Sequence, residues 1–356
     1  MVVVISAKDS PSPFGKRLAA NDKKTRDKAV KALGKWISKK KDFTHLELMK
    51  LWKGLFYCVW MSDKPIIQQQ LSETLSSLVI KVPREAVMDF ISTFWQTMCA
   101  EWNGIDRLRL DKYYFLLRRF LSYSFRTLKQ NDWDLETINE FSKVMVNGPL
   151  NATNTKVPDG IRFHLIEIYL EELEKIVNVT HSGEVPTAHI LQPMFHILGQ
   201  TINGKVFRMV AEDVFEAILK KTAAGEENGS DQEADLPVFV RTENEDEDED
   251  EDEDDDREHD TEMAGDNDDE EEDSDDDDEE EARSKAEMEM EMTDQGSTTF
   301  DYDLVGIKER LFAVGADKET VEQNRRKVYV LYKTYQVFCP PEEDPKTEDE
   351  DEEADE

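Results

Sequence analysis

The sequence contains few cysteines and no long apolar run, and these absences exclude several classes of protein. Its 356 residues include only three cysteines, and no two of them form a Cys-x-x-Cys pair. This argues against a disulfide framework and a structural zinc site, so reduced thiols in the cytosol or nucleus are expected. No apolar stretch approaches the roughly 18–20 residues that a membrane span requires, and the opening "MVVVIS" is too short for a signal peptide.

Catalytic and metal-binding motifs are also missing. The sequence has no phosphate-binding glycine loop, no GxSxG and no HExxH. His189 and His196 lie seven residues apart on one predicted helix face, but a second pair of ligands is absent. We therefore predict no catalytic residue, no metal, no cofactor and no small-molecule substrate.

Charge of one sign is concentrated at one end of the chain. The whole sequence has 44 basic and 81 acidic residues, a net charge of −37. Residues 1–222 hold 32 basic and 25 acidic residues, a net charge of +7, whereas the remainder holds 12 and 56, a net charge of −44. The low isoelectric point therefore describes the C-terminal part, while residues 1–222 are mildly basic and long enough to bury a substantial core.

Apolar residues in the first 222 positions recur at helical spacing, and no alternating strand pattern appears. Thr44 and Glu47 form a predicted capping box at one helix start, and Asp106 and Asp134 are predicted caps of two later helices. About nine helices of similar length, joined by short loops, predict an all-α domain. It is either a helical-repeat (armadillo/HEAT-like) solenoid or a multi-helix bundle, and no repeated motif decides between them.

The composition changes after residue 222. Residues 223–299 include the acidic runs Glu245–Asp256 and Asp275–Glu281, and such a segment is predicted to be a disordered linker. Helical periodicity returns in residues 300–339, a short element expected to dock on the main domain or on a partner, and residues 340–356 form an acidic tail. Ser274, followed by four aspartates, is a candidate phosphorylation site.

The stretch "KLWKGLFYCVWMSDKP" at Lys50–Pro65 admits three interpretations. Cys58 could be a nucleophile, but a nucleophilic thiol needs a base and a lowered pKa, and no polar partner is evident nearby. The aromatic residues could stack on nucleic-acid bases. Their helical spacing favours the third interpretation, in which this stretch is a helix that contributes to the core.

Basic residues crowd two of the predicted helical regions. They are either a solvated surface or a footprint for the phosphate backbone of RNA. The clusters Lys39–Lys41 and Arg325–Lys327 also match weak nuclear-targeting signals. The candidate RNA-binding residues are Lys16, Arg17, Lys23, Lys24, Arg26, Lys28, Lys31, Lys35, Lys39, Lys40, Lys41, Arg107, Arg109, Lys112, Arg118, Arg119, Arg126 and Lys129.

Four of the sequence segments resemble one eukaryotic family. Besides Lys50–Pro65, they are "FGKRLAANDKKTRDKAVKAL" at Phe14–Leu33, "EWNGIDRLRLDKYYFLLRRF" at Glu101–Phe120 and "GIRFHLIEIYLEEL" at Gly160–Leu173. Together, and in this order, they are similar to the ribosomal RNA-processing protein 1 family, also called the nucleolar protein 52 family. "NRRKVYVLYKTYQVF" near the C-terminus resembles an element that some relatives carry.

The resemblance implies a nucleolar, all-helical assembly factor of the precursor large (60S) ribosomal subunit. Such a factor acts in maturation of the precursor that yields the large-subunit and 5.8S RNAs. The resemblance implies no catalytic residues. The expected partners are other assembly factors, ribosomal proteins and pre-rRNA. A different class of function, an acidic chaperone of histones or free ribosomal proteins, is suggested by the net charge of −44 in the C-terminal part.

Overall fold

Every regular element in the described part of the chain is a helix, so the predicted all-α class is confirmed. The computed structural model describes residues 14–18, 20, 22–40, 42–178, 185–226 and 300–339. The predicted disordered linker lies almost wholly outside these ranges. The helices are, in order, α1 (Gly15–Leu18), α2 (Lys23–Ile37), α3 (His45–Trp60), α4 (Pro65–Ser76), α5 (Arg84–Glu101), α6 (Arg107–Gln130), α7 (Leu135–Asn147), α8 (Asp159–Asn178), α9 (Thr187–Ile190), α10 (Gln192–Gln200), α11 (Gly204–Met209), α12 (Ala217–Glu226), α13 (Leu304–Ala316) and α14 (Glu322–Phe338).

Short side-chain caps fix several of the helix starts. The predicted capping box begins α3: Thr44 Oγ1 accepts a hydrogen bond from the Glu47 amide, and the Glu47 carboxylate accepts one from the Thr44 amide. Asp134 caps α7 by accepting from the Thr137 amide at 3.0 Å. The prediction for Asp106 is wrong in one respect, because its carboxylate pairs with the Arg109 guanidinium instead of capping a backbone amide.

The helices form two rows, as in a solenoid. One row contains α3, α5, α7 and the short pair α9 and α10, each in contact with the next. The other contains α4, α6, α8 and the segment from α11 to α12, which is continuous through a π-helical stretch, Val210–Glu216. Each helix therefore packs on its second neighbour along the chain, which is the pattern of stacked helix pairs.

Aromatic side chains fill the space between the rows. Trp52 of α3 is 1% exposed, and its ring centroid lies 4.7 Å from that of Phe90, 4.9 Å from Phe94 and 5.4 Å from Phe120. Its indole N–H donates to the Phe90 carbonyl at 3.1 Å. The stretch Lys50–Pro65 thus supplies core residues through α3, as its helical spacing predicts.

The C-terminal pair α13 and α14 packs on the main helical body, in contact with α9 and α10. Tyr335 is fully buried, and its hydroxyl donates to the Phe215 carbonyl at 2.8 Å. Asn324, 2% exposed, donates from its side-chain amide to the Thr201 carbonyl at 2.7 Å. Buried polar groups need partners, so these hydrogen bonds specify one docking position for the pair.

The helices before residue 227 and those after residue 299 belong to the same compact unit. Of the two arrangements expected for the C-terminal element, docking on the main domain or on a partner, the structure has the first. Within the described ranges, no helix is both long enough and apolar enough to cross a lipid bilayer.

Candidate nucleic-acid interface

A stripe of lysines runs along the outer side of α2. Lys24, Lys28, Lys31 and Lys35 follow one another at intervals of four, three and four residues, which places them on one face of a helix. All four are exposed, whereas Val30 and Leu33 on the opposite face are buried. We call these four residues the α2 lysine stripe.

The α2 lysine stripe keeps most of its positive charge. Among the described residues, Lys24, Lys28 and Lys35 form no ion pair with a carboxylate. Ammonium groups in this state attract phosphate groups through their positive charge and through three hydrogen-bond donors each. The stripe is therefore the part of the candidate set whose geometry best fits a phosphate backbone.

The other N-terminal candidates differ in accessibility. Arg26 is 6% exposed and donates to the Ala20 carbonyl at 2.8 Å, so its guanidinium is part of the packing. Lys40 donates to the Glu47 carboxylate at 2.6 Å, a bond that contributes most to lowering the pKa of Glu47 to about 2. Arg17 and Lys39 are exposed. Outside the described part of the structure lie Lys41, Ser274 and the side chains of Lys16 and Lys23.

On α6, most of the candidate cations are used inside the fold. Arg118 pairs with two carboxylates of α8, at 2.8 Å from Glu171 and 2.9 Å from Glu172. Arg119 pairs with Glu73 of α4 at 2.6 Å. Since α6 packs between α4 and α8, these arginines connect neighbouring helices of one row, and their charge is matched by acids.

Two lysines of α6 hold backbone carbonyls. Lys112, 6% exposed, donates to the carbonyls of Trp60 and Ser62, both at 2.8 Å. Lys129 donates to the Ile176 carbonyl at 2.6 Å. Burial lowers the pKa of both lysines. Lys112 thus binds the turn between α3 and α4 to α6. Its ammonium is too deeply buried for a large ligand such as RNA to reach it.

The remaining α6 candidates lie on or near aromatic rings, with one exception. The Arg109 guanidinium lies over the Trp60 ring at 4.8 Å, and that of Arg126 lies over the Tyr123 ring at 4.6 Å. Arg107 is exposed at the start of the helix. RNA binding by the candidate residues of α6 stays a prediction.

Replacing Lys112 with methionine is expected to lower the free energy of unfolding by about 2 kcal/mol. The substitution keeps the apolar stem but leaves two carbonyls of the α3–α4 turn without their donor. Urea denaturation measures the change, with Arg107→Met on the exposed start of the same helix as the control, expected to change stability by less than about 0.5 kcal/mol. Equal stability of the two variants would contradict a structural role for Lys112.

Cys58 does not have the surroundings of a nucleophile. The side chain is 1% exposed, and burial raises the pKa of the thiol to about 11. Only the thiolate reacts readily, and this pKa keeps its fraction very small at neutral pH. Cys58 packs in the core with Trp52 and Phe56 of the same helix.

The two histidines considered as metal ligands lie in different short helices, His189 in α9 and His196 in α10. Burial lowers the pKa of both imidazoles. In the part of the chain that the structure describes, no three histidine, cysteine, aspartate or glutamate side chains converge to hold a metal ion.

Several exposed cations were not among the predicted candidates, and they include Lys205 and Arg208 of α11 and Lys327 of α14. The sequence contains no signal that would group them, because more than a hundred residues separate the two helices. Only the docking of the C-terminal pair brings Lys327 next to α11, where its ammonium lies over the Phe207 ring at 5.4 Å.

Comparison with known proteins identifies related sequences. The family described as nucleolar protein Nop52 matches residues 9–332. Human ribosomal RNA processing protein 1 homolog A is 33% identical over 333 residues, which cover 91% of this chain and 69% of the relative.

Two further relatives match a shorter part. Human ribosomal RNA processing protein 1 homolog B is 42% identical over 215 residues, 59% of this chain and 28% of the relative. The Dictyostelium discoideum homolog of ribosomal RNA processing protein 1 is 29% identical over 225 residues, 58% of this chain and 45% of the relative. The chain thus spans less than a third of homolog B and about two thirds of homolog A.

Proposed function

The chain belongs to the Nop52 family of nucleolar proteins, and from this membership we propose that it acts in ribosomal RNA processing as a non-catalytic scaffold. The predicted family and its nucleolar localisation are confirmed by the match over residues 9–332. The finer proposal is that the chain assembles on the precursor of the large subunit and binds other assembly factors and pre-rRNA. The family match is the observation that carries the role in ribosomal RNA processing, and the finer proposal rests on that role.

Two features of the fold support a scaffold role. Stacked helices present long, continuous faces to partners, which is how helical solenoids bind other proteins. The thiol of Cys58, the residue considered as a nucleophile, is buried with a raised pKa. We therefore assign protein contacts to the helical faces and phosphate contacts to the α2 lysine stripe.

Affinity purification of the tagged chain from cells, with and without RNase, tests this proposal. The scaffold role requires recovery of large-subunit precursor RNA together with assembly factors. Partners that survive RNase treatment would assign the main interface to protein. Recovery of histones or free ribosomal proteins without precursor RNA would instead support the acidic chaperone. A chain lacking residues 223–299 separates the two roles further, because the chaperone requires that acidic segment, whereas the scaffold tolerates its loss if the C-terminal helices can still dock.

Changing Lys24, Lys28 and Lys35 of the α2 lysine stripe to glutamine is expected to weaken binding to single-stranded RNA about tenfold or more. Three lost phosphate contacts should also reduce the slope of log affinity against log salt by about two. Fluorescence anisotropy with the full chain measures both quantities. The control is Lys143→Gln on α7, an exposed lysine whose helix also carries Glu136 and Glu140. An unchanged salt slope would remove the α2 lysine stripe from the RNA interface.

A further inference from the structure

The region where α14 docks beside α11 contains cations that are held by aromatic rings. The Lys205 ammonium lies over the Phe163 ring of α8 at 4.8 Å, and the Lys327 ammonium lies over the Phe207 ring at 5.4 Å. Lys205 and Phe207 both belong to α11, so the two contacts are made to the same short helix. Arg208, the next residue of α11, is exposed.

A cation over a ring differs physically from a cation in an ion pair. A carboxylate neutralises its partner and occupies its donors, as in the pairs of Arg118 and Arg119 with acids. An aromatic face attracts a cation through its quadrupole but carries no net charge, so the cation keeps its charge for another anionic partner. Lys205 and Lys327 are therefore positioned without being neutralised, and part of the entropy lost on binding a ligand is already lost in the free protein.

Acidic residues border this region without pairing with its cations. Glu212 lies four residues beyond Arg208, and Glu167 lies four residues beyond Phe163. In the described ranges, neither forms an ion pair with Lys205, Arg208 or Lys327. By contrast, Arg325 beside Lys327 is engaged, because its guanidinium donates to the Gly315 carbonyl at 2.6 Å and the Asp317 carbonyl at 2.9 Å.

The position of Lys327 depends on the docking of the C-terminal pair. Asn324, one turn earlier in α14, donates to the Thr201 carbonyl at 2.7 Å, and the Val321 amide donates to the Gly199 carbonyl at 2.9 Å. These bonds hold the start of α14 against the end of α10 and the loop that precedes α11. The position of the α14 backbone that carries Lys327 beside α11 is thus a fixed feature of the fold.

We infer that Lys205, Arg208 and Lys327 form a second RNA-binding surface that contacts the phosphate backbone of single-stranded RNA. This inference rests on the proposed function, because a role in ribosomal RNA processing supplies RNA as the ligand. Basic residues combined with aromatic rings are typical of surfaces that follow a nucleic-acid backbone without reading its sequence. RNA binding at this surface requires the C-terminal helices, whereas RNA binding at the α2 lysine stripe does not.

Anisotropy titrations of a short fluorescein-labelled oligouridylate against the purified full chain test the inference. The double variant Lys205→Glu/Lys327→Glu is expected to bind about tenfold more weakly, with a salt slope lower by about 1.4 for two lost contacts. The control is Lys143→Glu/Lys220→Glu, which changes the same charge on exposed lysines of α7 and α12; Lys220 lies 3.8 Å from Glu216. Thermal unfolding of each variant establishes that it is folded, and Lys205→Gln/Lys327→Gln provides a milder pair.

The Phe163→Leu variant tests the contribution of the aromatic ring without changing the charge of the surface. Removing the ring beneath Lys205 is expected to weaken binding two- to threefold without changing the salt slope. The inference is overturned if the site and control double variants bind the oligouridylate equally, or if the wild-type chain does not bind it. A site variant that binds RNA normally but loses an acidic protein partner also overturns it. Recovery of precursor RNA in the purification described above tests the proposed function separately.

Discussion

A chain ending at residue 299 is expected to lose at least about 5 kcal/mol of its free energy of unfolding, or to aggregate. The lost segment includes six buried apolar or aromatic side chains: Tyr302, Ile307, Leu311, Val328, Leu331 and Tyr335. Full burial of one such side chain contributes roughly 1.5–3 kcal/mol, and the truncation also uncovers α9 and α10. Guanidinium denaturation followed by circular dichroism measures the loss.

The control for this truncation is a chain ending at residue 339, just beyond α14. It retains every described contact of the C-terminal pair and is expected to unfold at the denaturant concentration of the full chain. Equal midpoints for the two truncated chains would mean that the pair adds nothing to the stability of the main body. That result would contradict the packing of Tyr335 and Asn324 against the main body.

Replacing Trp52 with alanine is expected to cost about 3–5 kcal/mol of stability. The indole contacts three aromatic rings and donates to the Phe90 carbonyl, so its removal leaves a cavity where α3, α5 and α6 meet. Urea denaturation should show a lower midpoint with an unchanged m value. Tyr57→Ala in the same helix is the control, since Tyr57 is 40% exposed and should cost less than about 1 kcal/mol.

The same pair of variants distinguishes a core residue from a base-stacking platform. A stacking platform loses roughly 1–3 kcal/mol of RNA affinity on alanine substitution. Trp52→Ala, measured below its unfolding transition, is expected to bind RNA as the wild-type chain does. A loss of affinity with no loss of stability would reverse the assignment of Lys50–Pro65 to the core.

Local signals in the sequence predicted the helices well, because helix starts depend on nearby residues. The Thr44–Glu47 capping box and the Asp134 cap are contacts over three residues, and α6 begins directly after Asp106, the predicted start. Local backbone exceptions were harder to predict. Asp132 and Trp133 both have positive φ angles, 52° and 54°, and Trp133 adopts this conformation with its amide bonded to the Leu128 carbonyl and its ring against the core.

The sequence did not predict which cations turn inward. Periodicity assigns a residue to a face of its own helix, but the partner of that face comes from another helix. Lys112 and Arg118 resemble surface residues in the sequence because lysine and arginine are mostly exposed. Their hydrogen-bond partners lie about fifty residues away, at Trp60 and Glu172. The apposition of Lys327 and Phe207 likewise depends on a docking contact that spans the acidic segment.

The docking of the C-terminal helices also limits how much the covalent connection between residues 226 and 300 has to contribute to holding the fold together. Since α13 and α14 are held by their own buried contacts, the covalent connection contributes to their docking by raising the effective concentration of one part for the other. Doubling the length of such a connection costs only about 0.6 kcal/mol in closure entropy. A protease cut within this connection is expected to leave a complex of two fragments. Insertions into the connection are expected to lower the stability of the fold only slightly. The docking of the C-terminal helices is accordingly expected to depend little on the length of this connection.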